Sequence, residues 1–307
     1  MMKLIKLIFF SLIIFTPLNA IESYIKFKVN NEIITNIDLD IEYRYLIALN
    51  NELKNVDKDV LLKLAKESII REKLKRNELE VYYKLNGKQD FLDEIVKQYY
   101  QKINIETLSD FVIFLNENDL ELKTVKKKIE IEVMWNRLVG SKYGNQININ
   151  EEALKKQIDN SSEKNALITE YELSEIIFQV NDDIELVNKI NLIQQDINEK
   201  GFKNSANIHS ISDSSKFGGN IGWFNEKQLS KKINLAIKKL SIGEISKPIK
   251  ITNSFLLLKV ENKKQIKNKL DKKKLLAEAI LFEQNKQYSQ FSIIHYNKVK
   301  INSTISE

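Results

Sequence analysis

Residues 218–224 read GGNIGWF, and residues 240–249 read LSIGEISKPI. Five of the eight glycines in the chain fall within residues 201–243, and Pro248, one of only two prolines, follows shortly after. Glycine permits backbone conformations with positive φ, so this concentration indicates a region built around tight turns. The rest of the chain is poor in helix-breaking residues, which favours long helices.

The segments around these glycines alternate between strand and helix patterns. Residues 171–180 (YELSEIIFQV) and 255–260 (FLLLKV) predict strands. Residues 183–200 and 228–240 carry apolar residues at helical spacing, and residues 201–222 are expected to form a loop. This order of elements predicts one small α+β domain of about 95 residues.

The N-terminal half of the chain is predicted to be mainly helical. Two short strands are expected at residues 24–30 and 32–35, and a helix is expected to begin at Ile37. Apolar spacing predicts five further helices. The first of these helices is predicted to begin at Asp57 or Asp59 and to end near residue 86, and the others are predicted at residues 90–103, 107–115, 120–138 and 151–158. Glycines at positions 140 and 144 are expected to loosen the chain after the helix at residues 120–138.

The chain after the small domain is predicted to return to a helical pattern. Residues 160–166 (NSSEKNA) are polar and indicate a linker before the domain. Residues 271–289 are predicted to form an amphipathic helix, and residues 293–301 a short strand. The predicted fold class is therefore α+β, with a mainly helical N-terminal part, one small mixed domain, and a C-terminal helix and strand.

The composition excludes several classes of functional site. The chain has no cysteine and only two histidines, His209 and His295, so thiolate chemistry is excluded and a histidine-rich metal site is not expected. Neither G-x-G-x-x-G nor G-x-x-x-x-G-K-[ST] occurs. The net charge of +6 arises from interspersed charges of both signs, which is typical of solvated faces. No cofactor, metal or nucleic-acid partner is therefore expected.

The first 20 residues have the pattern of an export signal. Lys3 and Lys6 precede the apolar residues 7–15, Pro17 follows, and cleavage is expected after Ala20. The apolar stretch is shorter than the roughly 20 residues that a membrane-spanning helix needs. A retained signal anchor is the alternative. The predicted location is periplasmic, with no integral membrane segment once the signal is cleaved.

The two glycine-containing stretches resemble the parvulin family of peptidyl-prolyl isomerases. That family shows G-G-D-L-G-[WA]-F, a helix, L-x-x-G-E-[IM]-S-x-P-[IV] and a final strand, and the resemblance covers residues 170–263. Residues 29–39 (VNNEIITNIDL) also resemble the start of the SurA-type periplasmic chaperones.

These resemblances imply a division of the chain into four parts. A signal peptide at residues 1–20 precedes a helical SurA-like N-terminal chaperone domain at residues 21–165. A parvulin-like (PpiC-type) domain follows at residues 166–264. A C-terminal helix and strand at residues 265–307 are expected to pack back on the N-terminal domain.

The parvulin resemblance implies four polar positions at the catalytic site. Glu175 stands where the family has a histidine on the first strand, and Ser212 stands at its Cys or Asp position. Asn253 stands at its Ser or Thr position, and Leu256 replaces its second histidine. Both histidines are therefore replaced, and Glu175, Ser212 and Asn253 are the remaining candidate catalytic residues.

The same resemblance implies an apolar pocket for the proline ring. Its positions map to Leu229 and Ile233, with Phe224 nearby, and all are apolar. With Leu256, these residues are the candidate substrate-binding residues. The alternative is that they belong to an ordinary core.

Loss of the histidines beside a retained apolar pocket favours binding over catalysis. We expect a chaperone that binds unfolded polypeptides and has weak or lost isomerase activity. The resemblance to SurA-type chaperones implies that its clients are outer-membrane β-barrel proteins. An active prolyl isomerase and an assembly subunit with one folded partner are the alternatives. Aromatic residues of the helical part could form a client-binding surface or simply core: Tyr99, Tyr100, Phe111, Phe114 and Trp135.

Overall fold

The computed structural model describes residues 22–50, 53–54, 56–85, 91–160, 167–180, 182–251, 254–267 and 272–306. The expected signal at residues 1–20 lies outside these ranges. Within them, no helix combines the length and the apolar composition that crossing a membrane requires.

The described chain begins with a hairpin and a series of helices. Strands β1 (Ile25–Val29) and β2 (Glu32–Thr35) pair antiparallel, and the turn residue Asn30 has a φ of 52°. Thr35 caps the first helix in a capping box, because its side chain accepts from the backbone of Asp38 while the Asp38 carboxylate accepts from the backbone of Thr35. The helices are α1 (Asn36–Leu49), α2 (Lys58–Glu80), α3 (Leu92–Lys102), α4 (Leu108–Glu117), α5 (Leu122–Tyr143) and α6 (Glu151–Asn160).

Helix α5 continues through Gly140, where the sequence predicted that the chain would loosen. That prediction was wrong because a single glycine weakens a helix only slightly. The last turn of α5 is also held by packing, since the ring of Tyr143 stacks on Phe291 with the ring centroids 5.0 Å apart.

The second part of the chain folds around a four-stranded antiparallel sheet. Its elements in chain order are β3 (Leu167–Phe178), α7 (Asp183–Lys200), α8 (Phe202–His209), β4 (Asn220–Asn225), α9 (Lys231–Ile237), β5 (Ile249–Ile251) and β6 (Ser254–Lys267). The strand order is β4-β3-β6-β5, so β3 and β6 occupy the centre. Strand β3 pairs along its whole length with β6.

Residues 201–222, expected to form a loop, contain regular structure. Helix α8, a 3₁₀ turn at Asp213–Phe217 and the start of β4 lie within them. The prediction missed α8 because the helix has only eight residues and few apolar ones. It forms because Phe202 and Ala206 are buried against Ile176 and Phe178 of the sheet, so tertiary packing stabilises it.

The C-terminal helix α10 (Lys272–Ile301) has 30 residues and includes the segment that was expected to be a strand. That prediction, at residues 293–301, was wrong for a geometric reason. Ile293 packs into the core beside the four-stranded sheet, while the ring of His295 contacts that of Trp135 of α5, with centroids 5.1 Å apart. Side chains two positions apart on a helix point in directions about 200° apart. A helix that packs between two cores can therefore show the alternating pattern of apolar residues that is typical of a strand.

Helix α10 is followed by a two-residue strand, β7 (Ile305–Ser306), which pairs antiparallel with β1. The first sheet therefore has the order β2-β1-β7. The α+β class, with a helical N-terminal part, is confirmed.

Candidate functional site

The centre of the candidate site is a carboxyl group on the central strand β3. The carboxylate oxygen Oε1 of Glu175 accepts hydrogen bonds from the hydroxyls of Ser212, at 2.6 Å, and Ser214, at 2.9 Å. The two hydroxyls are 3.1 Å apart. Glu175 and Ser212 therefore form a connected polar cluster, which the sequence alone did not show.

A glycine holds the backbone behind this cluster. The backbone N–H of Glu175 donates to the carbonyl of Gly219 at 2.7 Å, and Gly219 has a φ of 80°. A Cβ at this position would lie 2.3 Å from the carbonyl oxygen of Glu175, so only glycine fits. The GG pair of the sequence therefore fixes the position of Glu175 relative to the loop that carries Ser212.

The environment of Glu175 makes its ionisation less favourable than in water. Burial raises the pKa of this carboxyl group, and the nearby charge of Asp213 raises it further, while the hydrogen bonds from Ser212 and Ser214 lower it in part. The net direction is upward. A protonated Glu175 could donate a hydrogen bond into the site, and an ionised one would attract a cation.

The apolar candidates lie beside this cluster. Leu229, Ile233 and Leu256 belong to one buried cluster, and Phe224 packs against it. Together with Glu175 and Ser212, all four line a cavity of about 880 Å³. Six of the seven sequence-predicted site residues thus meet at one cavity, and the seventh, Asn253, lies outside the described residues.

The opposite wall of the cavity comes from the helical part and was not predicted. Phe282 and Ile293 of α10 and Val139 of α5 line it. The ring of Phe282 meets that of Phe224 edge-to-face, with centroids 5.1 Å apart. The amphipathic pattern of residues 271–289 signalled a buried face of this helix, but not what it would cover.

The loop that carries Ser212 is fastened to the helical part by ion pairs. Glu132 of α5 contacts the ammonium groups of Lys75 and Lys216, each at 2.6 Å, and Lys75 also lies 3.5 Å from Asp213. Burial disfavours ionisation of Glu132, but Lys216 and Lys75 outweigh it and hold its pKa well below the usual value.

Neither histidine lies at the cavity. His209 is buried, with Nε2 2.6 Å from Asp196 and Nδ1 3.3 Å from the ammonium of Lys189. His295 Nε2 lies 3.1 Å from Glu78 Oε1, and its ring packs at a tilt against Trp135. Each histidine thus bonds to an acidic residue of a neighbouring helix. In the described ranges, no group of three acidic, histidine or cysteine side chains lies close enough together to hold a metal ion.

The aromatic residues considered as a client-binding surface form core instead. Tyr100, Phe111 and Trp135 are buried, and Tyr99 and Phe114 pack against the same helical core. Tyr99 also meets Phe217 edge-to-face at 5.7 Å, which adds an aromatic contact beside the ion pairs of Glu132. The cavity is therefore the better candidate for ligand binding.

Comparison with known proteins identifies a known domain in the part of the chain that supplies the sheet side of the cavity. The family model "Rotamase: PPIC-type PPIASE domain" matches residues 175–262. The chaperone SurA of Pseudomonas putida is 25% identical over 165 residues, which is 52% of this chain and 39% of that protein. The foldase protein PrsA 2 of Bacillus cereus is 36% identical over 50 residues, 16% of this chain and 18% of that protein.

Among solved structures, a SurA-like chaperone from Campylobacter jejuni aligns over 92% of this chain and 98% of its own, with 16% identity and a TM-score of 0.38. The chain spans about two fifths of the length of the SurA chaperones that it matches. The chain therefore contains a segment that matches the PpiC-type domain, and about half of its length is similar to SurA chaperones.

Proposed function

We propose that this protein is a periplasmic chaperone that binds unfolded polypeptides, and that its PpiC-type domain binds chain segments with weak or no isomerase activity. The observation that carries the proposal is the make-up of the cavity. Its apolar wall of Leu229, Ile233 and Leu256 is intact, while Glu175 and Leu256 stand where the parvulin resemblance implies histidines.

Physical chemistry favours binding over catalysis at such a site. Rotation about an X–Pro bond has a barrier of about 20 kcal/mol, and a catalyst must bind the twisted state more tightly than the planar one. An apolar wall holds both states about equally, because it offers no hydrogen bond that strengthens as the bond twists. The pocket therefore contributes affinity rather than rate.

We propose the corresponding division of the chain. Residues 21–165 form the chaperone domain, residues 166–264 the parvulin-like domain, and residues 265–307 return to the first. Residues 1–20 are proposed to be the export signal. The pairing of β7 with β1 and the packing of Tyr143 on Phe291 support the return of the C-terminal segment.

Suppression of aggregation tests the chaperone proposal. An unfolded outer-membrane β-barrel protein is diluted from denaturant with equimolar full-length protein, and light scattering is followed. We expect suppression, and stronger suppression than for an unfolded water-soluble protein of equal length. Scattering equal to that with an inert protein would rule out chaperone activity, whereas equal suppression of both clients would remove only the preference for outer-membrane proteins.

An active prolyl isomerase is the second candidate, favoured by the hydrogen-bonded cluster of Glu175, Ser212 and Ser214. Exchange NMR on an X-Pro tetrapeptide measures the rate directly. We expect no more than a small acceleration over the uncatalysed rate. A large acceleration that is lost in Ser212→Ala but kept in the matched surface variant Ser109→Ala, on the exposed side of α4, would establish the isomerase instead.

A further inference from the structure

The cavity has two walls from different parts of the chain. The sheet and α9 supply the apolar wall described above, and α5 and α10 supply the wall that faces it. The second wall includes polar side chains, among them Asn136, Asn285 and Ser289, beside Phe282 and Ile293. A ligand here would contact apolar side chains together with amide, hydroxyl and carboxyl groups.

This mixed lining fits an extended stretch of polypeptide. An apolar side chain can pack against Leu229 and Ile233, while backbone N–H and C=O groups meet polar side chains of the lining such as Asn285 and Ser289, where they replace bonds to water. A volume of about 880 Å³ lies within the range of ligand pockets, so only a short segment enters.

The charges around the cavity are mainly negative. Glu175, Asp213 and Glu278 line it, and among the described lining residues Lys286 supplies the ammonium group. The charge of Lys286 is already matched, because its ammonium lies 3.1 Å from Glu283 outside the lining.

Two of the three carboxylates accept hydrogen bonds from neutral donors. Glu175 accepts from the serine hydroxyls, and Glu278 accepts from the amide of Gln228 at 2.5 Å, with the ammonium of Lys274 only at 4.0 Å. Asp213, by contrast, lies 3.5 Å from Lys75. A cationic group entering the cavity would therefore meet two carboxylates whose charge is only partly offset.

We propose that the cavity, with α10 as its second wall, binds an extended polypeptide segment in which an apolar side chain is flanked by lysine or arginine. The apolar side chain packs against Leu229 and Ile233, and the flanking cation binds Glu175 or Glu278. This inference deepens the proposed function and rests on it.

The entrance of the cavity suits such a segment. Trp223 and Leu281 line the cavity and remain 40% and 54% exposed, so apolar surface is available where the segment enters. The two residues come from β4 and α10, and the segment would therefore pass between the sheet and the helix.

Three labelled nonapeptides test the charge preference against the full-length chain. Each carries one central leucine in an otherwise identical polar sequence, and the leucine is flanked by lysine, by glutamine or by glutamate. Fluorescence anisotropy gives the dissociation constants. We expect the lysine peptide to bind about tenfold more tightly than the glutamine peptide, because one hydrogen bond to a charged group contributes about that much affinity. The glutamate peptide is expected to bind most weakly.

Variants locate the binding. Glu175→Gln and Glu278→Gln are expected to reduce the lysine preference, and together to bring it within about twofold, as expected when the charged bonds are removed. Glu94→Gln, on the exposed start of α3, is the matched control and should leave the preference unchanged. Ile233→Ala is expected to weaken binding of all three peptides alike.

The outcomes separate this inference from the proposed function. Equal affinities for the three peptides, or a lysine preference that survives the double variant, would overturn the inference. So would binding that Ile233→Ala leaves unchanged, or no peptide binding while aggregation is still suppressed; in each of these cases the chaperone proposal stands. Absence of both peptide binding and suppression would overturn the two together.

Discussion

The core of the helical part and the cavity both enclose carboxylates, but they neutralise them differently. In the helical part the ammonium of Lys128 donates to both Glu42 and Glu72, and Ser68 donates to Glu42 at 2.6 Å. In the cavity Glu175 accepts from serine hydroxyls. A buried carboxylate that is paired with a cation is costly to leave unpaired, whereas one that meets only hydroxyls remains able to bind a cation from a ligand.

The largest effect is expected from removing the cation of the helical part. Lys128→Met leaves Glu42, which is only 2% exposed, without its ammonium partner. Removing one partner of a buried pair destabilises by roughly 3–5 kcal/mol. Urea denaturation measures the loss in free energy of unfolding.

The neighbouring exposed lysine gives the control for this prediction. Lys127→Met removes the same charge from the same helix and should change the free energy of unfolding by less than about 0.5 kcal/mol. Similar losses in the two variants would show that Lys128 does not stabilise the fold through Glu42 and Glu72.

An intermediate effect is expected at Glu132, which joins the two regions. Glu132→Gln removes the charge that holds Lys75 and Lys216, and we expect a loss of about 2 kcal/mol near neutral pH. The pKa of Glu132 is lowered in the folded protein, so its contribution is present above the ordinary value of 4.5 and is lost as the pH falls. Urea denaturation between pH 3 and pH 7 tests this.

The pH dependence distinguishes ion pairing from simple packing at Glu132. The difference between the wild-type protein and Glu132→Gln should shrink as the pH falls toward 3, while Glu94→Gln shows little difference at any pH. A difference that stays constant with pH would indicate that Glu132 contributes through packing alone.

The smallest effect, with the opposite sign, is expected at Glu175. Its pKa is raised, so the stability linked to its protonated form is fully present below the ordinary value of 4.5 and is lost as the pH rises. Glutamine can still accept from Ser212 and carries no charge. Glu175→Gln should therefore match the wild-type stability at pH 4 and exceed it at pH 8, by less than the loss expected at Glu132.

Denaturation of the two proteins at pH 4 and pH 8 provides the measurement. Lower stability of Glu175→Gln at pH 8 would mean that Glu175 is held as a stable ion, like the carboxylates around Lys128. The contrast between the two regions would then disappear.

The local features of the fold followed from the sequence because short-range interactions decide them. The start of α7 at Asp183 and its end at Lys200 were predicted to the residue, since Asp182 caps the helix and Gly201 ends it with a φ of 82°. Helix α8 and the last turns of α10 were missed. Their stability comes from packing against distant elements, and no periodic pattern within the segment reveals it.

Only one wall of the candidate site could be predicted before the structure was known. The parvulin resemblance that the glycine motifs carry implied Glu175, Ser212, Leu229 and Ile233, and the structure places these at one cavity. Whether that cavity is open, and what faces it, depends on contacts between residues far apart in the chain, such as Phe224 with Phe282.

By itself, the sequence determined the α+β class and most helices, because glycine placement, capping and hydrophobic period act over a few residues, while the residues of the apolar wall followed from the parvulin resemblance. Only the tertiary structure decided that α10 runs between two cores and closes the cavity with its inner face. Only the structure showed that Glu132 is paired by two lysines while Glu175 is not, because charge compensation depends on which side chains meet in space.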